Sequence, residues 1–151
     1  MPARPVKPQH PGPAHIDLGQ RGEDAAAELL RAKGWTVRER NLRLGRLELD
    51  LVCEDGETLV FVEVKTRGAG ALGSPADGLT PQKCERLLRA VRQYLSQQEL
   101  WHRPCRFDLV AVSEGQGGID VQHVENVLSA EDILTLGKKK TGGTSGSWQP
   151  W

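Results

Sequence analysis

The sequence predicts an α/β domain on a mixed β-sheet, with its elements in the order α-β-β-β-α-β-β. Two stretches have the spacing of amphipathic helices, and five have the alternation or β-branched composition of strands. A hairpin makes two strands antiparallel, whereas a helix between two strands lets them run parallel, so both kinds of pairing are expected. The 151 residues, 38% hydrophobic and 26% charged, are typical of one domain with its own core.

The two helices are predicted from their composition and their end signals. Residues 18–34, LGQRGEDAAAELLRAKG, are rich in helix formers and end in Gly34, a common residue just after a helix. The second helix begins with Thr80 as its N-cap and Pro81 in the first helical position. Its apolar residues recur at helical spacing to about residue 99. A further short helix is expected at residues 129–134, SAEDIL.

Five strands are predicted around these helices. The first is WTVRERNL, residues 35–42. The next two form the run LELDLVCEDGETLVFVEVKTR, residues 47–67, and are joined at Asp55-Gly56, a strong hairpin signal. The last two, CRFDLVAV and GIDVQHV, flank glycines at positions 115, 117 and 118. The second helix therefore connects the third strand to the fourth.

The composition and the ends of the chain favour a cytoplasmic protein. Pro-rich residues 1–14 and Gly/Lys/Ser-rich residues 137–151 are typical of flexible tails around a domain at 15–136. The three cysteines form no Cys-x-x-Cys pair, so neither a disulfide framework nor a zinc site is indicated. No apolar run approaches the roughly 18 residues of a membrane span, and no signal peptide is recognisable. We therefore expect a protein that is neither secreted nor embedded in a membrane.

The charge pattern limits how the chain could bind nucleic acid. The net charge is zero, with 20 Lys and Arg against 20 Asp and Glu, which argues against a purely electrostatic coat protein. Basic residues nevertheless cluster at 31–46 and 83–92. Each cluster is either a solvated face or a phosphate-binding surface.

The predicted hairpin collects charged residues on one face. With a two-residue loop at Asp55-Gly56, residue 52 faces 59, 50 faces 61 and 48 faces 63. Because alternate residues share a face, four charged side chains project together, and Asp50 lies diagonal to Glu63 at about 7–8 Å. These are Glu48, Asp50, Glu63 and Lys65. The opposite face is aliphatic and enters a core, with Leu47, Leu49, Leu51, Val60, Val62 and Val64.

This pattern has two interpretations. Asp50 and Glu63, with a strand carbonyl and waters, would form the hard-oxygen site that Mg²⁺ prefers, and Lys65 could orient a water or stabilise charge on a phosphate. An exposed sheet face with a Glu-Lys ladder would give the same pattern. Glu23 lies beside the apolar stripe of the first helix, so it either interacts with the helix dipole or completes a metal site on the sheet.

The motifs of the chain, taken together, resemble a known family. GQRGEDAAAELLRAKGW, RN, LELDLV, DGETLVFVEVKTR, LTPQKCERL and RFDLVAV occur in this order between residues 19 and 112. In this combination they resemble the bacterial YraN family of predicted endonucleases. That family is related to the archaeal Holliday junction resolvases in the PD-(D/E)xK nuclease superfamily.

The resemblance implies a restriction-endonuclease-like fold and Mg²⁺-dependent cleavage of phosphodiester bonds in DNA, with Mn²⁺ as an alternative ion. Asp50, Glu63 and Lys65 match the catalytic acids and lysine, with Asp50 and Glu63 as metal ligands. Glu23 matches the helix acid that completes the metal shell. Glu48 matches an acid whose role is left open, because Leu47 replaces the usual preceding glycine. Arg67 and Lys83 match positions that would contact phosphate, and Arg46 is expected to bind the substrate with them. Asp108 belongs to the RFD strand, where a structural role is expected.

Three alternatives remain open from the sequence. A non-catalytic nucleic-acid-binding module could use the same fold, because fold does not fix activity. RNA or single strands could be the substrate, but the domain has few aromatic residues for base stacking, which favours duplex or branched DNA. A homodimer is one candidate assembly, since resolvases cut two strands symmetrically.

Overall fold

The computed structural model describes residues 18–68 and 79–128, and their elements follow the predicted order. Helix α1 spans Leu18–Ala32 and helix α2 spans Pro81–Gln97. The strands are β1 Thr36–Leu44, β2 Leu47–Asp55, β3 Thr58–Arg67, β4 Cys105–Gly115 and β5 Gly118–Leu128. The predicted α/β class is confirmed. The predicted tails and the short helix at 129–134 lie outside the described residues.

The five strands form one mixed sheet in the order β1-β2-β3-β4-β5. β3 and β4 pair in parallel, and the other neighbours pair antiparallel. Helix α2 is the crossover that brings the chain back to run parallel to β3, as the sequence predicted. Neither α1 nor α2 has the length and apolar character that crossing a membrane requires.

The two helices cover opposite faces of the sheet because the strands alternate in composition. On β3, Leu59 and Phe61 pack in a cluster with α2, whereas Val60 and Val62 pack in a second cluster with α1. β4 alternates in the same way. Both faces are therefore buried under a helix, in the central-sheet arrangement implied by the resemblance to restriction-endonuclease-like proteins.

The helix ends follow the predicted signals. The hydroxyl of Thr80 accepts a hydrogen bond from the backbone N–H of Lys83 at 3.2 Å, and Pro81 occupies the first turn of α2. Gly34 has φ +88°, a conformation that favours glycine and ends α1, and Trp35 N–H then bonds back to Leu30 O at 3.1 Å. The start of α2 and the end of α1 are therefore set by the capping residues that the sequence predicted.

The hairpin register differs from the prediction by two residues. Asp55 pairs with Thr58 and Leu51 with Val62, so the loop is Gly56-Glu57 and not Asp55-Gly56. Gly56 has φ +59°, which suits the first central position of a type II′ turn. A shift of two residues preserves the faces of both strands. It also brings Asp50 next to Glu63, just beyond the last ladder pair, Leu51 and Val62.

The predicted aliphatic face is only partly correct. Leu51, Val60 and Val62 pack with α1 as expected, but Leu49 packs in the α2 cluster and Leu47 lies against that cluster. The reason is that the β2–β3 ladder ends at Leu51, so the first part of β2 pairs with β1 alone. The side chains of this part of β2 are therefore not constrained by pairing with β3 to alternate between the same two faces.

Candidate active site

A cavity of about 470 Å³ lies where β2 and β3 meet the first turns of α2. Its acidic residues come from the strands, and its basic residues come from α2 and the β1–β2 turn. The lining residues are Arg46, Leu47, Glu48, Asp50, Glu63, Thr80, Gln82, Lys83, Arg86 and Leu87. Five residues that the sequence singled out therefore line one cavity: Arg46, Glu48, Asp50, Glu63 and Lys83.

Asp50 is held at the point where β2 leaves the ladder with β3. Its Oδ2 accepts a hydrogen bond from the backbone N–H of Val64 at 2.8 Å. The pKa of Asp50 is raised to about 7, mainly by burial and then by the nearby charge of Glu63, whereas the hydrogen bond from Val64 opposes the shift. A carboxyl with this pKa is half ionised near neutral pH, and a nearby cation would stabilise its ionised form.

Glu63 is buried and paired with a lysine of α2. Its residue is 8% exposed, and its Oε1 lies 2.9 Å from Nζ of Lys83. The Lys83 side chain is 46% exposed and reaches the sheet from the first turn of α2, which Thr80 caps. The acid pair on the strands therefore has one cation of the protein beside it.

Lys65 follows Glu63 on the same face of β3. Glu63 is level with Leu109 and Lys65 with Ala111 on β4, so the lysine lies two residues nearer the carboxyl end of β3. It is half-buried, and no carboxylate of residues 18–68 and 79–128 lies within ion-pair distance of it. Lys65 does not line the cavity but lies beside it. No carboxylate among the described residues pairs with its ammonium.

Glu23 is not brought together with Asp50 and Glu63. It lies on α1, which covers the opposite face of the sheet, although its neighbour Gly22 packs against Thr66 near the end of β3. In the described part of the chain, no three Asp, Glu, His or Cys side chains are grouped to hold a metal ion. The cavity therefore has three acidic residues, Glu48, Asp50 and Glu63, and Glu23 lies at the same end of the sheet but on its other side.

The remaining predicted residues divide between the site and the scaffold. Arg67 ends β3, half-buried and outside the cavity lining. Asp108 is fully buried on the α1 face, where its carboxylate accepts hydrogen bonds from Arg106, from His123 Nε2 at 2.8 Å and from Asn126 N–H at 2.9 Å. These contacts agree with the structural role predicted for Asp108.

Arg86 is a cavity residue that sequence reasoning did not single out. It appeared only as one member of the basic cluster at 83–92. The available signal was its spacing, since it follows Lys83 by three residues on an amphipathic helix and therefore lies on the same side of α2. The basic wall of the cavity on α2 consists of this pair.

The fold and the cavity define a class of protein: an α/β domain in which a carboxylate pair on a mixed sheet lies inside a cleft lined by basic residues. A comparison with known families identifies the family of the chain. The model of the uncharacterised protein family UPF0102 matches residues 22–112, and the chain belongs to this family. UPF0102 is the YraN family that the sequence motifs resemble.

Several relatives support the same membership. A UPF0102 protein of Nitratidesulfovibrio vulgaris strain DP4 is 47% identical over 133 residues, covering 88% of this chain and 94% of its own. One from Lawsonia intracellularis is 39% identical over 135 residues, covering 89% and 97%. One from Oleidesulfovibrio alaskensis is 52% identical over 101 residues, covering 67% and 50%. Their names describe no activity, so the reaction has to be argued from the site.

Proposed function

We propose that this protein is a divalent-metal-dependent endonuclease that hydrolyses phosphodiester bonds in duplex or branched DNA. The observation that carries the proposal is the placement of Asp50 and Glu63 together in a cavity rimmed by Arg46, Lys83 and Arg86. Carboxylates bind the metal ion that such hydrolysis uses, and the basic rim binds the anionic backbone on both sides of it. A neutral substrate would gain nothing from the basic rim.

The donor set of the cavity fits Mg²⁺. Asp50 and Glu63 offer hard oxygen ligands. Burial and the charge of Glu63 disfavour the ionised form of Asp50, and a divalent cation would stabilise that form. These two residues would hold the ion, and Glu48, which also lines the cavity, is available to bind a water of its shell. When bound, the ion would polarise a phosphate oxygen and stabilise the charge on the leaving oxygen.

The protein's own side chains supply the other requirements of hydrolysis. Lys65 would hold the attacking water by donating to its oxygen, because its ammonium lies on the Glu63 face of β3. Arg46, from the β1–β2 turn, and Arg86, from α2, would bind the phosphates flanking the scissile one. Arg67, at the end of the same strand, would contact a phosphate farther along the backbone. Glu23 would have to reach around the sheet edge to contribute, so its part in the metal shell stays a prediction.

A non-catalytic DNA-binding module is the second candidate, and one observation favours it. Lys83 already pairs with Glu63, so this buried carboxylate has a counter-ion without a metal ion. Such a protein would bind the phosphate backbone through Arg46 and Arg86 with or without Mg²⁺. The two candidates therefore differ in whether a divalent ion changes what the protein does to DNA.

Cleavage assays on a panel of labelled DNAs separate the candidates. Linear duplex, single strand, flap and four-way junction would be incubated with Mg²⁺ or Mn²⁺, and with EDTA as a control. We expect metal-dependent cutting of a duplex or branched member, and no cutting by Asp50→Ala protein that is folded by circular dichroism. Binding without cutting under every metal condition would establish the non-catalytic module instead.

A further inference from the structure

The ion pair between Lys83 and Glu63 joins the acidic floor of the cavity to its basic wall. Nζ of Lys83 lies 2.9 Å from Oε1 of Glu63, whose side chain is 10% exposed. A carboxylate this buried needs a partner, because an unpaired charge away from water is strongly destabilised. In the protein alone, that partner is Lys83.

Lys83 is built to leave this position. Its side chain is 46% exposed, and four methylene groups connect its ammonium to the first turn of α2. The backbone of that turn is fixed by the Thr80 cap, so the ammonium can swing without any change in the helix. Glu63, in contrast, is fixed on the central strand β3 between β2 and β4.

A divalent ion held by Glu63 would be a strong competitor for the same carboxylate. The ammonium and the metal ion repel each other at the short distances that one carboxylate imposes, and the doubly charged ion binds more strongly. Once displaced, Lys83 remains at the rim of the cavity, one helical turn from Arg86. A DNA phosphate at the metal would then offer it a new anionic partner.

We propose that Lys83 is a displaceable counter-ion of Glu63, released by the divalent cation and transferred to the substrate phosphate. This inference rests on the proposed function, since it assumes that Asp50 and Glu63 bind the metal. It adds that metal loading and DNA binding are positively coupled through one side chain. Lys83 is in this sense a positioning residue that makes the metal-loaded protein the form that binds DNA tightly.

Metal affinity without DNA tests the first half of this mechanism. Mg²⁺ and Mn²⁺ would be titrated by calorimetry into wild type, Lys83→Gln, Arg86→Gln and Asp50→Asn proteins at one pH and ionic strength. Removing the competing ammonium should tighten binding about tenfold in Lys83→Gln. Arg86→Gln removes the same charge from the same cavity without touching Glu63, so we expect a clearly smaller change.

DNA affinity tests the second half. Ca²⁺, which takes the same oxygen ligands, would be added to wild type and Lys83→Gln with labelled duplex or junction DNA. We expect Ca²⁺ to increase the affinity of wild type several-fold more than that of Lys83→Gln, because only wild type has an ammonium to transfer. An equal increase in both proteins would overturn the transfer.

The outcomes distinguish this inference from the proposed function. If Mg²⁺ and Mn²⁺ bind wild type and Asp50→Asn equally, or bind neither, the metal site itself is wrong and the inference fails with it. If Asp50→Asn loses metal binding while Lys83→Gln binds the metal no more tightly than wild type, only the counter-ion role is overturned. Weaker binding in Lys83→Gln would show that Lys83 supports the ligand Glu63 instead of competing for it.

Discussion

Oδ2 of Asp50 lies 2.8 Å from the backbone nitrogen of Val64, so a strand amide that is not used in the β2–β3 ladder holds the carboxylate beside Glu63. This bond orients Asp50 but does not compensate its burial, and the pKa of Asp50 is raised to about 7. The site therefore carries an electrostatic cost in the metal-free protein, and the cost has measurable consequences.

The contribution of Asp50 to the stability of the metal-free protein should fall between about pH 4 and pH 7. The folded carboxyl of Asp50 keeps a proton that the unfolded chain, with a pKa of 3.8, has already released. Stability from this group is therefore complete below pH 4 and is lost as pH rises through 7, by about 2–4 kcal/mol. Asp50→Asn should be more stable than wild type at pH 8 and equal to it at pH 4.

Urea unfolding with a chelator present, at pH 4, 6 and 8, checks this expectation. Asp120→Asn, a change at an exposed position of β5, is the matched control and should follow wild type. Parallel stability curves for Asp50→Asn and wild type across the range would contradict the raised pKa.

Lys65→Met should abolish cleavage while preserving the fold and DNA binding. Methionine keeps the apolar stem but removes the ammonium that would hold the attacking water, and we expect a loss of at least about 100-fold in rate. Single-turnover cleavage, DNA affinity and thermal unfolding would be measured together. Arg21→Gln, which removes an exposed cation of α1, should cut normally. Cleavage at the wild-type rate by Lys65→Met would exclude the proposed mechanism.

Gly22→Ala should destabilise the contact between α1 and β3. A Cβ at residue 22 would clash with Oγ1 of Thr66, so the threonine or the helix has to move. We expect a net loss of about 1–2 kcal/mol, because overpacking exceeds the gain in helix propensity from alanine. Denaturant unfolding measures the loss.

The rescue of this variant tests its cause. Thr66→Ala removes the clashing oxygen, so the double variant should recover most of the stability lost by Gly22→Ala alone. Additive effects of the two substitutions would show that the contact with Thr66 is not responsible.

Asp108→Ala should unfold more easily without affecting the chemistry of the site. The substitution leaves Arg106, His123 and the N–H of Asn126 without their shared acceptor on the α1 face. We expect a loss of about 2–4 kcal/mol, measured by denaturant unfolding, with Asp120→Ala as the exposed control. Cleavage assayed at low temperature, where the variant is folded, should remain. A fully folded Asp108→Ala protein that cannot cut would contradict a purely structural role.

Much of the site was predictable because it depends on strand parity. Glu63 and Lys65 share a face of β3 in any register, so a hairpin error of two residues did not separate them. Asp50 lies beyond the β2–β3 ladder and is held beside Glu63 by the hydrogen bond from Val64 N–H. The register itself was not predictable from the Asp55-Gly56 pair. Gly56 can occupy either central position of a tight turn, and the surrounding ladder selected the first.

The amino-acid sequence by itself determined the element order, the helix caps and the two-faced strands, because these depend on residues close together in the chain. Only the tertiary structure decided that Lys83 pairs with Glu63, that Arg86 joins Arg46 around the cavity, and that Glu23 lies across the sheet. Those relationships depend on how α1 and α2 pack on opposite faces, and a packing angle between distant segments leaves no periodic signal in the sequence.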